Sequence, residues 1–431
     1  MINFIIMKKY LLLPLLAMLY VSENCHADVA SLRLSKDSLK QVVQTLNDGF
    51  RNKDMQLIQR CLSERFSVST ASMPYAQQFL DRLVEYRALD DITLVDIDSS
   101  TWNTTLVKVA IKSRLGDSES IIAFDEYYKV VFIDFLDRIY GHSRYNVSET
   151  KAVIPFAMTN EAIVVPLKLN DCDTTLYFFL DTGADGMAIR KTLADSLHLS
   201  TDHDQDANIV GGVMNVPISR NNTVHLTGSF ALNSQNIALF DKIGYDWDGS
   251  IGLNMAQNYI VDINFDTQQI TLSTFGKCTG KNHGEIIPIT NHYGLITLDG
   301  SLNLTGEEDI AGKFVFDSGA GFHLIVFDHF VRRHHLQQTD FKPEAQSVTE
   351  SMGHITTIFT GKAQQFSFSP HLIYNELPIA LQVSSSPQKD EQTPDGSIGI
   401  ELIRQFNVTI DLLQKELTLT PRNDSVQTVK K

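Results

Sequence analysis

Hydrophobic and polar positions change their rhythm along the 431-residue chain. The opening is apolar: Lys8 and Lys9 lead into "YLLLPLLAMLYV" (10–21), followed by polar residues and "CHA". This run is shorter than the roughly 20 apolar residues that cross a bilayer. The layout predicts a secretory signal over residues 1–27, cut after Ala27, in preference to a buried N-terminal helix. A secreted or periplasmic protein, free of membrane after cleavage, is the expectation.

Helical spacing dominates next. "SLKQVVQTLNDGF" sets Leu39, Val42, Val43, Leu46 and Phe50 on one face. Pro74 opens a second helical run, "PYAQQFLDRLVEYRAL", at the position where a missing N–H costs least. "DITLVDI", "TTLVKVAIK" and "SIIAFDEYYKVVFI" then read as strands. Helices followed by a strand meander predict an α+β domain over 28–150. In its order of elements this block resembles the NTF2-like fold, which implies a module that dimerises or docks a partner.

From residue 151 the chain turns to short strands broken by Gly, Asn and Asp, which predicts a mostly β region. An internal repeat runs through it. "VIPF" (153–156) answers "IIPI" (286–289), and the helical runs "KTLADSLHL" (191–199) and "DHFVRRHHL" (328–336) correspond. "DGSIGLNMAQNYIVDINFDTQQITL" (248–272) aligns without a gap on "DGSIGIELIRQFNVTIDLLQKELTL" (395–419), with nine identities. Residues 151–283 and 284–423 are therefore read as two copies of one fold, with 424–431 as a tail.

Each copy ends an apolar strand on an acid. "YFFLDTGADG" (177–186) carries Asp181 and "GKFVFDSGAG" (312–321) carries Asp317. One Asp-Thr/Ser-Gly-Ala tetrapeptide is weak evidence; two within a wider repeat are strong. "LDTGAD" and "FDSGAG" resemble the active-site turns of retropepsin-like aspartic proteases, and the resemblance covers both repeats but not the N-terminal block. It implies a mostly β bilobal fold of two pseudo-symmetric lobes fused in one chain, hydrolysing peptide or protein substrates as a monomer without a metal or other cofactor. Ser250 and Ser397 stand where the family shows an apolar residue, a departure that puts the local strand register in question.

The chemistry accounts for the duplication. Uncatalysed by metal or covalent intermediate, peptide hydrolysis needs a base for water and an acid for the carbonyl and the leaving amine. Two carboxylates about 3 Å apart share one proton and supply both, an effect of which the aspartic-protease dyad is the standard instance. Asp181 and Asp317 are the expected dyad, titrating as a unit. Gly183 and Gly319 suit tight turns. The resemblance implies that Thr182 and Ser318 bond across the dyad to the opposite strand. Ala184 and Ala320 carry no hydroxyl to lower the carboxylate pKa values, which predicts activity toward mildly acidic or neutral pH. By resemblance Asp185 contacts the substrate backbone, with a solvated loop acid as the alternative; Gly321 stands there in the second copy. "NIVGGVMNVPI" (208–218), with Gly211 and Gly212 at a hairpin tip, is the candidate substrate-covering flap, and "SMGHITTIF" (351–359) its counterpart. Met187, Ile189, Phe322 and Leu324 are candidates for apolar subsites, some of them for core.

Composition narrows the alternatives. Net charge is −15, and loss of 1–27 would leave −16, a surface that repels nucleic acid. Four cysteines are present; Cys172 and Cys278, near the ends of one repeat, are a candidate disulfide, with two free thiols as the alternative. No H-E-x-x-H, G-x-S-x-G or G-x-x-x-x-G-K-[ST] pattern occurs. Adjacent His334 and His335 point apart on a helix and suit a solvated helix end. The competing function is a catalytically silent retropepsin-fold protein that binds extended peptides; intact Asp in both motifs favours the protease. Pairing of each lobe with another chain is disfavoured by the high effective concentration of the fused partner.

Overall fold

The structure, a computed structural model, describes residues 34–100, 104–159, 162–209, 212–244, 247–277, 284–291, 294–351, 354–383 and 394–422. The expected signal, the tail and Cys278 lie outside these residues; Cys172 is a free thiol among them. The described chain forms two compact units. One takes the residues up to Phe66 together with Asp81–Ile133; the other takes Ser67–Leu80 and the chain from Asp134 onward.

The first unit is built from helices and one sheet. Helix Lys36–Asn52 starts where the Ser35 hydroxyl accepts from Ser38 N, and it stops at Lys53, whose φ of 55° is left-handed. It buries Leu39, Val43, Leu46 and Phe50, the stripe expected from spacing; Val42 lies at its edge. A short helix, Met55–Cys61, follows and buries Ile58 and Cys61. Strands Asp91–Ser100, Thr105–Lys112, Ser118–Phe124 and Val130–Ile133 form an antiparallel sheet in chain order. In Thr105–Lys112 buried residues alternate strictly with more exposed ones, as one covered sheet face requires.

The second unit contains two sheets of matching topology. In the first, the strands run in the order Ala162–Leu169, Leu176–Leu180, Gly249–Ile251, Met187–Arg190, Ala231–Phe240, Gly212–His225 and Thr201–Ile209, with Ala157–Thr159 added at the outer edge. In the second the order is Thr297–Asn303, Ile310–Phe316, Gly396–Ile398, Leu324–Val326, Ile373–Val383, His354–Ser367 and Ala345–Ser351. Each strand of the second answers one of the first. Each sheet also curls back on itself, Val224 pairing with Leu169 and Leu302 with Phe366.

A third, six-stranded antiparallel sheet takes three strands from each half: Thr150–Pro155, Gln269–Ser273 and Ile260–Asn264, then Phe406–Asp411, Glu416–Pro421 and Glu285–Pro288. Its centre is the pair Asp262–Thr409, flanked by Val261–Ile410 and Ile263–Val408. The repeated "VDI" and "VTI" segments thus meet each other. One apolar core runs beneath all three sheets and includes Phe178, Ile251, Ile263, Phe314, Ile398 and Val408, each at most 1% exposed. At about 25 cal/mol per Å² of apolar surface removed from water, such a shared core is what keeps two small lobes from separating.

The segment Ser67–Leu80 is tied into this unit by a buried polar cluster. Asp137, fully buried, accepts from Ser69 N at 2.6 Å and from Arg144 Nε at 2.7 Å. Arg144 also donates to the Leu413 carbonyl. The Thr70 carbonyl accepts from Lys415 Nζ at 2.6 Å and from Asn291 Nδ2 at 3.1 Å. Burial, with Arg144 beside it, lowers the Lys415 pKa to about 7, against the opposing pull of Asp137 and Asp411. Because the folded-state value lies below the unfolded one, the cost of burying this ammonium is full below about pH 7 and is relieved as pH rises toward 10.5. Lys415→Met, which leaves Thr70 its Asn291 partner, should therefore gain stability relative to the natural protein at pH 6.5 and lose most of that gain by pH 9.5. Urea midpoints at the two pH values check this; a difference that does not vary with pH would refute it.

Candidate active site

Each candidate acid sits where a buried strand runs out into a turn. Strand Leu176–Leu180 lies between Ala162–Leu169, antiparallel, and Gly249–Ile251, parallel, with Leu180 opposite Ile251. Asp181 N donates to the Ile251 carbonyl at 2.9 Å, and Ala184 N closes the turn on the Asp181 carbonyl at 3.1 Å. In the other half Phe316 stands opposite Ile398, and Asp317 N donates to the Ile398 carbonyl at 2.9 Å. Ser250 and Ser397 therefore leave the strand register the same in both copies.

The two turns interlock. Thr182 Oγ1 donates to the Phe316 carbonyl at 2.7 Å and accepts from Ser318 N at 2.9 Å. Ser318 Oγ donates to the Leu180 carbonyl at 2.8 Å and accepts from Thr182 N at 3.1 Å. Thr182 is 2% exposed and Ser318 1%. Each hydroxyl spends its donor and an acceptor on the opposite strand, so a buried polar exchange is left with both hydroxyls satisfied.

Glycine at the third position is set by close approach. A Cβ on Gly183 would lie 2.4 Å from Asp317 Cγ, and one on Gly319 would lie 2.5 Å from Asp181 Oδ1. Each carboxylate is laid across the opposing glycine, and the two carboxyl groups hydrogen-bond to each other. Gly183 N donates to Asp181 Oδ1 at 3.1 Å and Gly319 N to Asp317 Oδ1 at 2.9 Å. Ser397 Oγ donates to Asp317 Oδ2 at 2.9 Å. Burial, then the negative charge of Asp317, holds Asp181 well above the usual carboxylate range. Burial also raises Asp317, but the bonds from Ser397, Gly319 and Asp181 oppose it.

Ser397 adds a hydroxyl donor that the reading of Ala184 and Ala320 did not include. The motif turns carry no hydroxyl at that position, yet the dyad receives one from the neighbouring strand. A sequence signal existed: a serine replacing an apolar residue in a buried strand, in both copies.

The remaining candidates are placed as follows. Asp185 is exposed; its carbonyl accepts from Gln257 Nε2 at 3.2 Å, and Gly294 lies against its Cβ. Gly212 pairs with Ile209 at the end of the hairpin Thr201–Ile209/Gly212–His225, while Gly211 lies outside the described residues. The counterpart hairpin closes on Ser351 and His354. Both hairpins show apolar residues to solvent near their tips: Val213, Val348 and Ile355 are at least 60% exposed. At their bases Val216 and Ile218 pack with Phe179 and Ala188, and Ile358 packs with Ile325 and Ala380. Met187, Ile189 and Leu324 are core residues, at most 3% exposed, and are not available as subsites. Phe322 is half-buried and packs beside Ile325. Cys61 is core, and His335 is exposed past the end of helix Asp328–Arg333.

Comparison with known proteins adds to this geometry. The chain matches the family model described as "Aspartyl protease" over residues 165–255. Among solved structures it is similar to the aspartic proteinase from Irpex lacteus, at 14% identity and a TM-score of 0.41, covering 65% of this chain and 99% of that one. No curated protein matches. The matched segment begins in strand Ala162–Leu169 and contains Asp181, Thr182, Gly183 and Ser250. Residues 165–255 are thus similar to an aspartyl protease domain, and the match stops short of Asp317.

Proposed function

We propose that the protein is an aspartic endopeptidase in which both lobes of a single chain furnish the dyad, Asp181 from one and Asp317 from the other. The observation that carries this reading is the reciprocal Thr182–Ser318 exchange, which presses the two carboxyl groups together. Two such groups hold one proton and one negative charge between them. The carboxylate takes a proton from water as its oxygen attacks the scissile carbonyl carbon. The carboxylic acid gives its proton to the carbonyl oxygen, and a gem-diol results. Collapse then returns a proton from one diol hydroxyl to the dyad while the other carboxyl group protonates the amine nitrogen, and the C–N bond breaks. Both carboxyl groups end as they began.

The apolar flap tips and Asp185 are suited to the substrate. A β-hairpin edge pairs with extended peptide backbone, and exposed Val213, Val348 and Ile355 would cover apolar side chains and exclude water. The apolar run 10–21, read as a secretory signal, supports a secreted or periplasmic setting for this activity.

Asp181→Asn and Asp317→Asn should each lower kcat about 10²–10⁴-fold or more while the protein stays folded, as loss of a general acid or base does. Cleavage of a mixed peptide library before and after each change is the measurement, and retention of activity in both variants would place the chemistry elsewhere. Specific activity should hold on serial dilution; a steep loss would point to lobes paired between chains.

The pH profile of kcat/KM should be bell-shaped, its rising limb marking the first proton lost from the pair and its falling limb the second. Because Asp181 is held well above its usual range, the falling limb should lie above the ordinary carboxylate value of about 4. A profile confined below about pH 4 contradicts this. The same raised pKa makes Asp181 a stability term present at low pH and lost as pH rises. Asp181→Asn should therefore gain stability over the natural protein between pH 4 and pH 7 in thermal melts.

A further inference from the structure

Ser250 and Ser397 hold equivalent places. Each is the middle residue of the Gly-Ser-Ile strand that lies parallel to a dyad-bearing strand, Ser250 opposite Phe179 and Ser397 opposite Val315. On the other side Ser250 faces Ala188 and Ser397 faces Ile325. Both are 1% exposed. Their hydroxyls differ. Ser397 Oγ donates to Asp317 Oδ2 at 2.9 Å, whereas Ser250 Oγ is buried with no hydrogen-bond partner among the described residues.

Of the backbone donors, the glycines are matched, while Ala320 N–H also favours the charged form of Asp317 without a counterpart at Asp181. Gly183 N serves Asp181 as Gly319 N serves Asp317, and the charged group facing each carboxyl is the other carboxyl. The serine bond is thus the chief asymmetry in hydroxyl donation between the two acids. A hydroxyl that donates to a carboxyl oxygen favours the charged form of that carboxyl. With one proton to place between two acids, added donors on one side decide where it resides, and Ser397 is the largest of them at Asp317.

We propose that Ser397 is a positioning residue that polarises the dyad: it fixes Asp317 as the carboxylate that takes the proton from water, and leaves Asp181 as the acid that protonates the substrate carbonyl. This rests on the protease reading given above and goes beyond it, since the dyad alone does not distinguish its members. It also gives the departure from the family pattern at this position a chemical use in one copy only. The buried Ser250 hydroxyl carries the matching side chain without the matching bond.

The test compares full-length Ser397→Ala, Ser250→Ala and Ser397→Thr with the natural protein. For Ser397→Ala, the rising limb of kcat/KM should move to higher pH, so that at a pH on that limb activity falls about tenfold or more, the worth of a hydrogen bond to a charged group. Ser397→Thr keeps the hydroxyl and should restore the limb. Ser250→Ala should superimpose on the natural profile. In parallel, carboxyl-carbon NMR titration of aspartate-labelled protein, with Asp317→Asn for assignment, should show the lower of the pair's two transitions moving upward in Ser397→Ala alone. Equal shifts in both alanine variants, or no shift in either, would overturn the proposal. If the natural protein cleaves no peptide, the protease reading fails, and the NMR titration still decides whether Ser397 sets the charge on Asp317.

Discussion

Two carboxyl groups pushed together inside a protein repel each other and lose hydration, so the scaffold must hold them there at a cost of several kcal/mol. Here that constraint is met by the four hydrogen bonds exchanged between Thr182 and Ser318 and the opposite strands. Each buried bond contributes only about 1 kcal/mol net, but breaking one strands a buried partner at about 1–3 kcal/mol, so the exchange resists partial opening. The glycines then decide the last ångström: with a Cβ at Gly183 or Gly319 the carboxylates would have to move apart.

Rigidity at this point is borrowed from farther away. The turns hang from parallel strand pairs, and those pairs stand on a six-stranded sheet whose central strands, Ile260–Asn264 and Phe406–Asp411, come from different halves. Side chains from both halves fill one core. The lobes therefore meet twice, through apolar packing at the base and through hydroxyl exchange at the top. The Ser67–Leu80 segment adds a third tie within this unit, through Asp137, Arg144 and Lys415.

The repeat is close to symmetric in its strands and departs from symmetry where a substrate would be read. Among the described residues, Ala157–Thr159 extends the first sheet and no strand answers it in the second. Asp185 answers Gly321, and the Ser397 hydroxyl reaches an acid where that of Ser250 does not. A peptide has a direction, so a site that binds one productively has a use for lobes that share a fold and differ in detail.

Repetition made much of this molecule legible beforehand. The two acid-bearing strands, their turns and the ungapped "DGSIG" blocks are local patterns, and duplicated strands of one fold pair alike, so the meeting of the two turns and the matching sheets could be read from residue order. The helical stripe of Leu39, Val43, Leu46 and Phe50 was likewise written in its spacing. Three things required the fold. Met187, Ile189 and Leu324 look like subsite residues beside the motif, but strand alternation turns them into the core. Ser67–Leu80, early in the chain, belongs with the later unit because long-range buried bonds hold it there. Ser397 reaches a carboxylate 80 residues away because parallel pairing sets the strands side by side, and Ser250, in the same local context, makes no such bond. Local sequence thus determined which residues exist in pairs; only the three-dimensional arrangement decided which side chains touch, since contact across a sheet depends on register and rotamer, not on neighbours in the chain.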